Sequence, residues 1–277
     1  MTKKKYRLKK KNFIQFIFLI LCIVLMIFLA IQIIGWFLDN EKTNEILHKV
    51  QNEIVVEQVD IKDAEVRVQD EDVISSEDLY WQFIDTDFLS VDLSKLKDDN
   101  EDVVGFLQVL NTNINYPFVQ TTDNSYYLTH DLYQNSNGGG WVFLDYRNQK
   151  NFDNKNSIIY AHGRENYTMF GTLKNVLDES WYQNEENYVV KLATQTQSYV
   201  YQVFSVYRIE NTNDYIQTEF QSDPEYLRFL TKLQERSIAD FQTSVSVSDK
   251  ILTLSTCYND YEKVVLHAKL IKQVTLS

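Results

Sequence analysis

Cysteine and histidine, the residue types most often used as nucleophile and base, are scarce in this 277-residue chain, which has two Cys and four His. Cys257 ends the apolar run "ILTLSTC", and the only other cysteine, Cys22, lies in a hydrophobic N-terminus. A thiol is only slightly ionised at neutral pH, so attack on a carbonyl needs a nearby base or cation that favours thiolate. It also needs donors aimed at the oxyanion that then forms. On residue type alone Cys257 has two readings: a buried, inert small hydrophobe, or such a nucleophile.

Three histidines, His130, His162 and His267, lie outside the polar segment that follows the hydrophobic N-terminus. His162 ends the apolar segment "SIIYAH" just before a glycine, at a strand-to-loop junction of the kind that displays catalytic groups. It reads as a general base or as a satisfied structural histidine. His130, in "YYLTHDLYQ", belongs to a polar loop and reads as a surface residue. His267, in "VVLHAKL", is mid-strand beside the strand of Cys257, facing either toward the thiol or away from it. His48 falls in a polar segment and reads as solvated. The "GGG" at 138–140 precedes no G-K-[ST] and opens no helix, which predicts a hairpin turn and not a phosphate cradle. There is no Cys/His cluster and no EF-hand spacing, so neither a metal nor a cofactor is expected.

The elements that must position these groups are mostly strands. "VVGFLQVL" and "INYPFVQ" flank the polar turn "NTN", and "GGGWVFLDYR", "NSIIYAHG", "NYVVKLA", "SYVYQVFSVYRIE", "ILTLSTC" and "KVVLHAKLI" are rich in β-branched and aromatic residues. Ser76 followed by acids fits a helix N-cap, with Leu79, Phe83 and Ile84 as a short apolar stripe. One further helix is predicted in "QSDPEYLRFLTKLQERSI", capped by Ser222 or Asp223, with Pro224 in its first turn. Its expected buried face is Tyr226, Leu227, Leu230 and Leu233. This mainly β pattern, in roughly 200 residues, favours a single closed barrel or sandwich.

The N-terminus reads differently. Seven Lys and Arg with no acid occupy residues 1–12, and residues 13–38 follow without a charge. That run exceeds the ~20 apolar residues a bilayer-spanning helix needs, and the ~7–15 of a cleaved signal-peptide core. No small-x-small cleavage site follows it. Dense positive charge on the N-terminal side predicts a cytoplasmic N-terminus and an extracellular remainder. Residues 39–76, polar and acidic, are expected to form an extracellular stalk, with "NEILHKVQNEIVVEQV" as an amphipathic helix, before a domain over 77–277. The net charge of −12 becomes −19 once the seven N-terminal positives are set aside, which excludes nucleic acid and anionic lipid as partners of the exported domain. Cys22, inside the span, cannot reach Cys257, so no disulfide framework is possible.

"TLSTC", with "IIYAHG" 95 positions upstream and a basic residue shortly after the cysteine, resembles the sortases, membrane-anchored cysteine transpeptidases of Gram-positive bacteria. "VVGFLQVLNTNINYPFVQTTDNSYYLTHDLY", "GGGWVFLDYRN", "MFGTL" and the helix before "KILTLSTC" narrow the resemblance to class B. It spans roughly residues 77 to 275, as ordered blocks in one topology. It implies a closed β-barrel of about eight strands, with an N-terminal helix and one helix before the cysteine strand. It further implies Cys257 as nucleophile and His162 as general acid/base. Asn124, Leu128, Tyr160, Ser255 and Thr256 would line the substrate groove, although core packing or turn formation also suits Asn124, Leu128 and Tyr160. Implied partners are secreted or pilin proteins bearing a C-terminal sorting signal, and an amine acceptor from a peptidoglycan precursor or a pilin lysine.

The chain departs from the family at one position. Class B sortases carry an arginine four residues before the His or Gln of the final strand, and here that place is Lys263. A planar fork of donors is replaced by a point charge. Lys263 acting in its stead, Arg164 reaching in, and impaired turnover are the three readings. Impaired turnover would leave a domain that binds sorting signals without processing them; a peptidase that hydrolyses the thioester is a further alternative.

Overall fold

The computed structural model describes residues 10–59 and 78–276. Helix α1 runs unbroken over Lys10–Glu53. Its apolar part is long and uncharged enough to cross a membrane, and none of that window is buried against protein. The expected amphipathic helix over 44–59 forms as far as Glu53, continuous with the apolar part, while residues 56–59 are strand and not helix. The helix continues to Glu53 and lays Thr43, Ile46 and Val50 against the barrel, all buried. Spacings of three and four residues put these side chains on one helix face, which removes that stripe from water. His48, off that face, is exposed as expected. The rest of the expected stalk, 60–76, lies outside the described residues, and so does the expected cap Ser76.

After α1, strand β1 (Val56–Val59) pairs antiparallel with β2 (Phe88–Val91), in register from Val56↔Val91 to Val59↔Phe88. Each has four residues, too few for a period-2 pattern to stand out in sequence. Between them the expected helix around Leu79, Phe83 and Ile84 is a single turn, α2 (Tyr80–Phe83). A second short helix, α3 (Ser94–Asp99), leads into the barrel.

The barrel strands are β3 (Val103–Val109), β4 (Asn115–Val119), β5 (Phe143–Leu144), β6 (Asn156–Tyr160), β7 (Val189–Thr194), β8 (Gln197–Glu210), β9 (Ile251–Cys257) and β10 (Glu262–Thr275). The one-turn helix α4 (Glu179–Tyr182) precedes β7, and α5 (Asp223–Glu235) connects β8 to β9. The eight strands close in the order β10–β8–β7–β3–β4–β5–β6–β9. This is the expected closed barrel; only the "GGGWVFLDYR" strand is cut down, to Phe143–Leu144. The glycine run before it forms a turn, closed by the Gly140 N–H on the Asn137 carbonyl.

Two pairings decide what the barrel displays at one rim. Strand β6 runs parallel to β9 with Tyr160 opposite Ser255, so both chains leave their strands at the same end. Strand β9 turns back into β10 with Cys257 opposite Lys263. Alternate residues of these strands point to opposite faces. Leu252, Leu254, Val264 and Leu266 enter the main core inside the barrel. Ile251 and Val265 on the other face join Phe204 and Tyr207 under α5. The face that α5 buries corrects one expectation. Tyr226, Phe229, Leu230 and Leu233 are buried, while Leu227 is 48% exposed, because the 3–4 spacing from Tyr226 passes through 229 and 230.

Truncating Phe229 to alanine is therefore expected to cost about 3–5 kcal/mol of folding stability, as for other buried aromatics. Leu227→Ala should change it by less than about 0.5 kcal/mol. Denaturant melts of the detergent-solubilised chain distinguish the two; equal losses would contradict the assigned face.

Candidate active site

His162, Cys257 and Lys263 form a row at the barrel rim, and strand register alone puts them there. His162 and Cys257 each stand two residues past the paired Tyr160 and Ser255. Lys263 is the direct partner of Cys257, and its Nζ lies 3.0 Å from the Cys257 Sγ. Two details fasten the His162 loop to the end of β9. The buried Thr256 hydroxyl donates to the Ala161 carbonyl at 2.8 Å. Next to it the backbone at Gly163 passes so close that an added Cβ would lie 2.2 Å from the Cys257 carbonyl oxygen. Only glycine permits that approach.

The three histidines now separate. The His162 Nε2 is 2.8 Å from the Leu128 carbonyl, which can only accept, so Nε2 carries the proton and Nδ1 is left as the basic nitrogen. Gly140, at φ +58°, makes room for this ring, since a Cβ there would meet the His162 Cδ2 at 3.0 Å. His267 is fully buried on the face of Thr253, with which it pairs. The Thr253 hydroxyl donates to Asn156 at 2.7 Å, so it accepts from His267 Nδ1 at 2.8 Å, and His267 Nε2 accepts from Tyr207 at 2.8 Å. Burial above all, then Arg236 and Lys232, pushes the His267 pKa down to about 3, and its ring is a neutral structural group. His130 stacks on Tyr126 with ring centroids 4.0 Å apart.

The row opens into a cavity of about 620 Å³ lined by Asn124, Leu128, Tyr160, His162, Cys257 and Lys263, with Ser255 and Thr256 at its floor. Leu128 is 38% exposed, so it serves the cavity wall and not the core. Ser255 and Thr256 are buried with their hydroxyls engaged, by Tyr215 at 2.9 Å and by Ala161. They therefore present backbone, not free hydroxyls, to the cavity.

One buried carboxylate braces the walls. Asp145 accepts from Asn124 Nδ2 at 3.0 Å, Tyr160 Oη at 3.0 Å and Arg147 at 2.6 and 2.8 Å. Arg147 also donates to the Ile216 carbonyl at 3.0 Å, which ties in the loop between β8 and α5. Burial alone would raise the Asp145 pKa, but the bonds from Arg147 and Tyr160 outweigh it and hold the group below its ordinary value. Burial, followed by the Asp145 charge, pushes the Tyr160 hydroxyl far up and keeps it a donor. Neither Asp145 nor Tyr215 and Ile216 was singled out from sequence; an acid inside the apolar "WVFLDYR" was the available signal for Asp145.

Lys263 and Arg164 also separate. No carboxylate among the described residues forms an ion pair with Lys263, while its neighbour Glu262 is taken by Arg208 at 3.1 Å. Arg164 is half-buried and donates to Asn40 on α1, away from the row. Arg164 is not among the residues that line the cavity, and its guanidinium bonds the docked helix.

Comparison with known proteins places this geometry among relatives. The sortase domain family matches residues 107–271. The chain is 34% identical to sortase B of Staphylococcus aureus over 177 residues, covering 62% of this chain and 72% of that protein. It is 36% identical to sortase B of Listeria monocytogenes over 184 residues, covering 65% and 73%. Among solved structures, sortase B from B. anthracis superposes with a TM-score of 0.65 at 33% identity, covering 85% of this chain and 99% of that one. A Staphylococcus aureus sortase B–substrate complex gives 0.61 at 33% identity, over 65% and 84%.

Two outcomes test the site as built. Lys263→Met should lower Cys257-dependent peptide cleavage by on the order of tenfold or more, through loss of the cation 3.0 Å from the Cys257 sulfur, and Lys263→Arg should stay within a few fold. Asp145→Asn should lower stability at pH 7 by about 2–3 kcal/mol, by loss of charge-assisted bonds to a buried acceptor. Because the folded pKa of Asp145 is depressed, its contribution is present above the ordinary carboxylate pKa and lost as pH falls below it. The difference between the two proteins should therefore shrink in melts at acid pH.

Proposed function

The chain belongs to the sortase family and is a cysteine transpeptidase, and on that premise we propose how its residues divide the reaction. As the Cys257 thiol passes its proton to His162 Nδ1, its sulfur attacks the carbonyl of a Thr–Gly or Thr–Asn type bond in the C-terminal sorting signal of an exported protein. The C–N bond breaks, the leaving amine takes a proton from His162, and the N-terminal fragment stays on sulfur as a thioester. An incoming amine gives a proton to His162, attacks the thioester and forms a new amide, and the sulfur leaves as thiolate. Lys263 holds the negative charge, first on sulfur and then on the oxyanion, beside the backbone N–H groups at Cys257. Asn124, Leu128 and Tyr160 bind the signal along the cavity wall. The acceptor is a peptidoglycan precursor or a pilin lysine. The apolar part of α1 anchors the enzyme with its basic N-terminus in the cytoplasm and its barrel outside.

The observation that carries this reading is the contact of Lys263 Nζ with Cys257 Sγ at 3.0 Å, beside a histidine whose free nitrogen is Nδ1. The test uses the full-length chain in detergent with fluorogenic sorting-signal peptides, with and without an amine such as triglycine. Cleavage that needs Cys257 and speeds up with amine is the expected result. Binding without cleavage would make it a sorting-signal receptor, and cleavage indifferent to amine a hydrolase. Full activity in Cys257→Ala would end both enzymatic readings.

A further inference from the structure

Helix α1 acts as a ruler for the barrel, because one unbroken helix joins the apolar segment to the docked one. Just past Leu38, Asn40 Oδ1 accepts from Arg164 and, at 3.0 Å, from Asn166. Lys42 donates to the Ser136 carbonyl at 2.8 Å, and Asn137 donates to Thr43 at 3.2 Å. Further along, Lys49 meets Asp99 at 3.7 Å, and Glu53 meets Lys95 at 3.0 Å. At 1.5 Å per residue, Glu53 stands roughly 20 Å beyond Asn40. The loops around 136–139 and 164–168 therefore form the end of the barrel nearest the apolar segment, and α3 lies toward the far end.

The reactive row belongs to the near end. A Cβ on Gly139 would meet Thr43 Oγ1 at 2.8 Å and overlap Arg164, and one on Gly140 would meet the His162 ring. Gly163 in turn abuts the Cys257 carbonyl. Through these close backbone approaches His162 and Cys257 lie near the Asn40–Thr43 stretch of α1, which is roughly 3–8 Å of helix rise past Leu38. Trp36 and Phe37 mark the outer end of the apolar segment with aromatic rings, as at bilayer interfaces. The headgroup layer is about 5–8 Å deep on each side. Tyr167, at the same end, is 62% exposed, a residue type that suits that layer.

We infer that the catalytic cleft opens at the lipid-headgroup surface of the membrane, with the 136–139 and 164–168 loops facing the bilayer. The enzyme then takes sorting-signal bonds presented within roughly 10 Å of the lipid. A helix tilt of about 20° moves this level by only a few ångström. The inference rests on the reading of α1 as a membrane span, and it adds the height and facing of the site.

Two measurements on the full chain in lipid vesicles test it, the first without catalysis. In a Cys22→Ser, Cys257→Ala background, a fluorophore on Tyr167→Cys should be quenched strongly by headgroup spin-labelled lipid, and one on Lys95→Cys should not. Equal quenching at both positions, no quenching at 167, or a chain that does not float with vesicles overturns the inference. The second inserts a seven-residue helical Glu/Ala/Lys segment between Leu38 and Asp39, which adds about 10 Å and nearly two whole turns, preserving the facing. Cleavage of a soluble signal peptide should stay within twofold, while cleavage of the same peptide on a short lipid tether should fall at least tenfold and recover on a longer tether. Equal effects on both peptides, or none on the tethered one, contradict it. Because the quenching needs no turnover, failure of the proposed reaction and failure of the proposed height are separate results.

Discussion

Parallel pairing of β6 with β9 is the constraint from which the site follows. It makes two strands, 95 residues apart in sequence, end at one rim in matched register, with Tyr160 beside Ser255. The next residue outward on the same side of each strand is then His162 or Cys257. The antiparallel return through β10 adds Lys263 on the other flank of the cysteine. Hydrogen-bonded register, and not long side-chain reach, therefore sets the spacing of His162, Cys257 and Lys263. The Thr256–Ala161 bond and the bare backbone at Gly163 keep that register at the point where the strands part.

The Cys257–Lys263 pair is exposed at the rim, above a walled cavity. Leu128 and Tyr160 provide such walls, and Asp145 fixes them by gathering Asn124, Tyr160 and Arg147 on one buried carboxylate. Arg147 then holds the opposite loop through Ile216. The carboxylate itself is satisfied by these donors and does not compete for Lys263. Relative to an arginine, the lysine lacks a second, parallel donor.

Much of this was legible in the residues. Long β-branched and aromatic runs such as "SYVYQVFSVYRIE" marked strands, and the ordered blocks around His162 and Cys257 marked the family and its barrel. The local elements were harder. Strands β1 and β2 have no readable period, and Leu227 entered the expected face of α5 because periodicity does not reveal where a helix lands. The amphipathic helix past the apolar segment was legible, but not what it docks on: its burial rests on three positions and on Asn40, whose partners lie more than 120 residues away. Long-range pairing was likewise the missing fact for Asp145, and for Arg164, whose place next to His162 suggested chemistry while its bonds serve attachment.

The central claim is that Cys257 carries the acyl group between donor and acceptor, in the row set by β6, β9 and β10. Intact-mass analysis of acid-quenched mixtures of the full chain and a sorting-signal peptide tests it most directly. The account predicts one adduct with the mass of the N-terminal peptide fragment, localised to Cys257 by digestion, and its disappearance within turnover time when an amine is added. An adduct that persists in Cys257→Ala, or peptide turnover with no adduct on Cys257 under any quench, would contradict it.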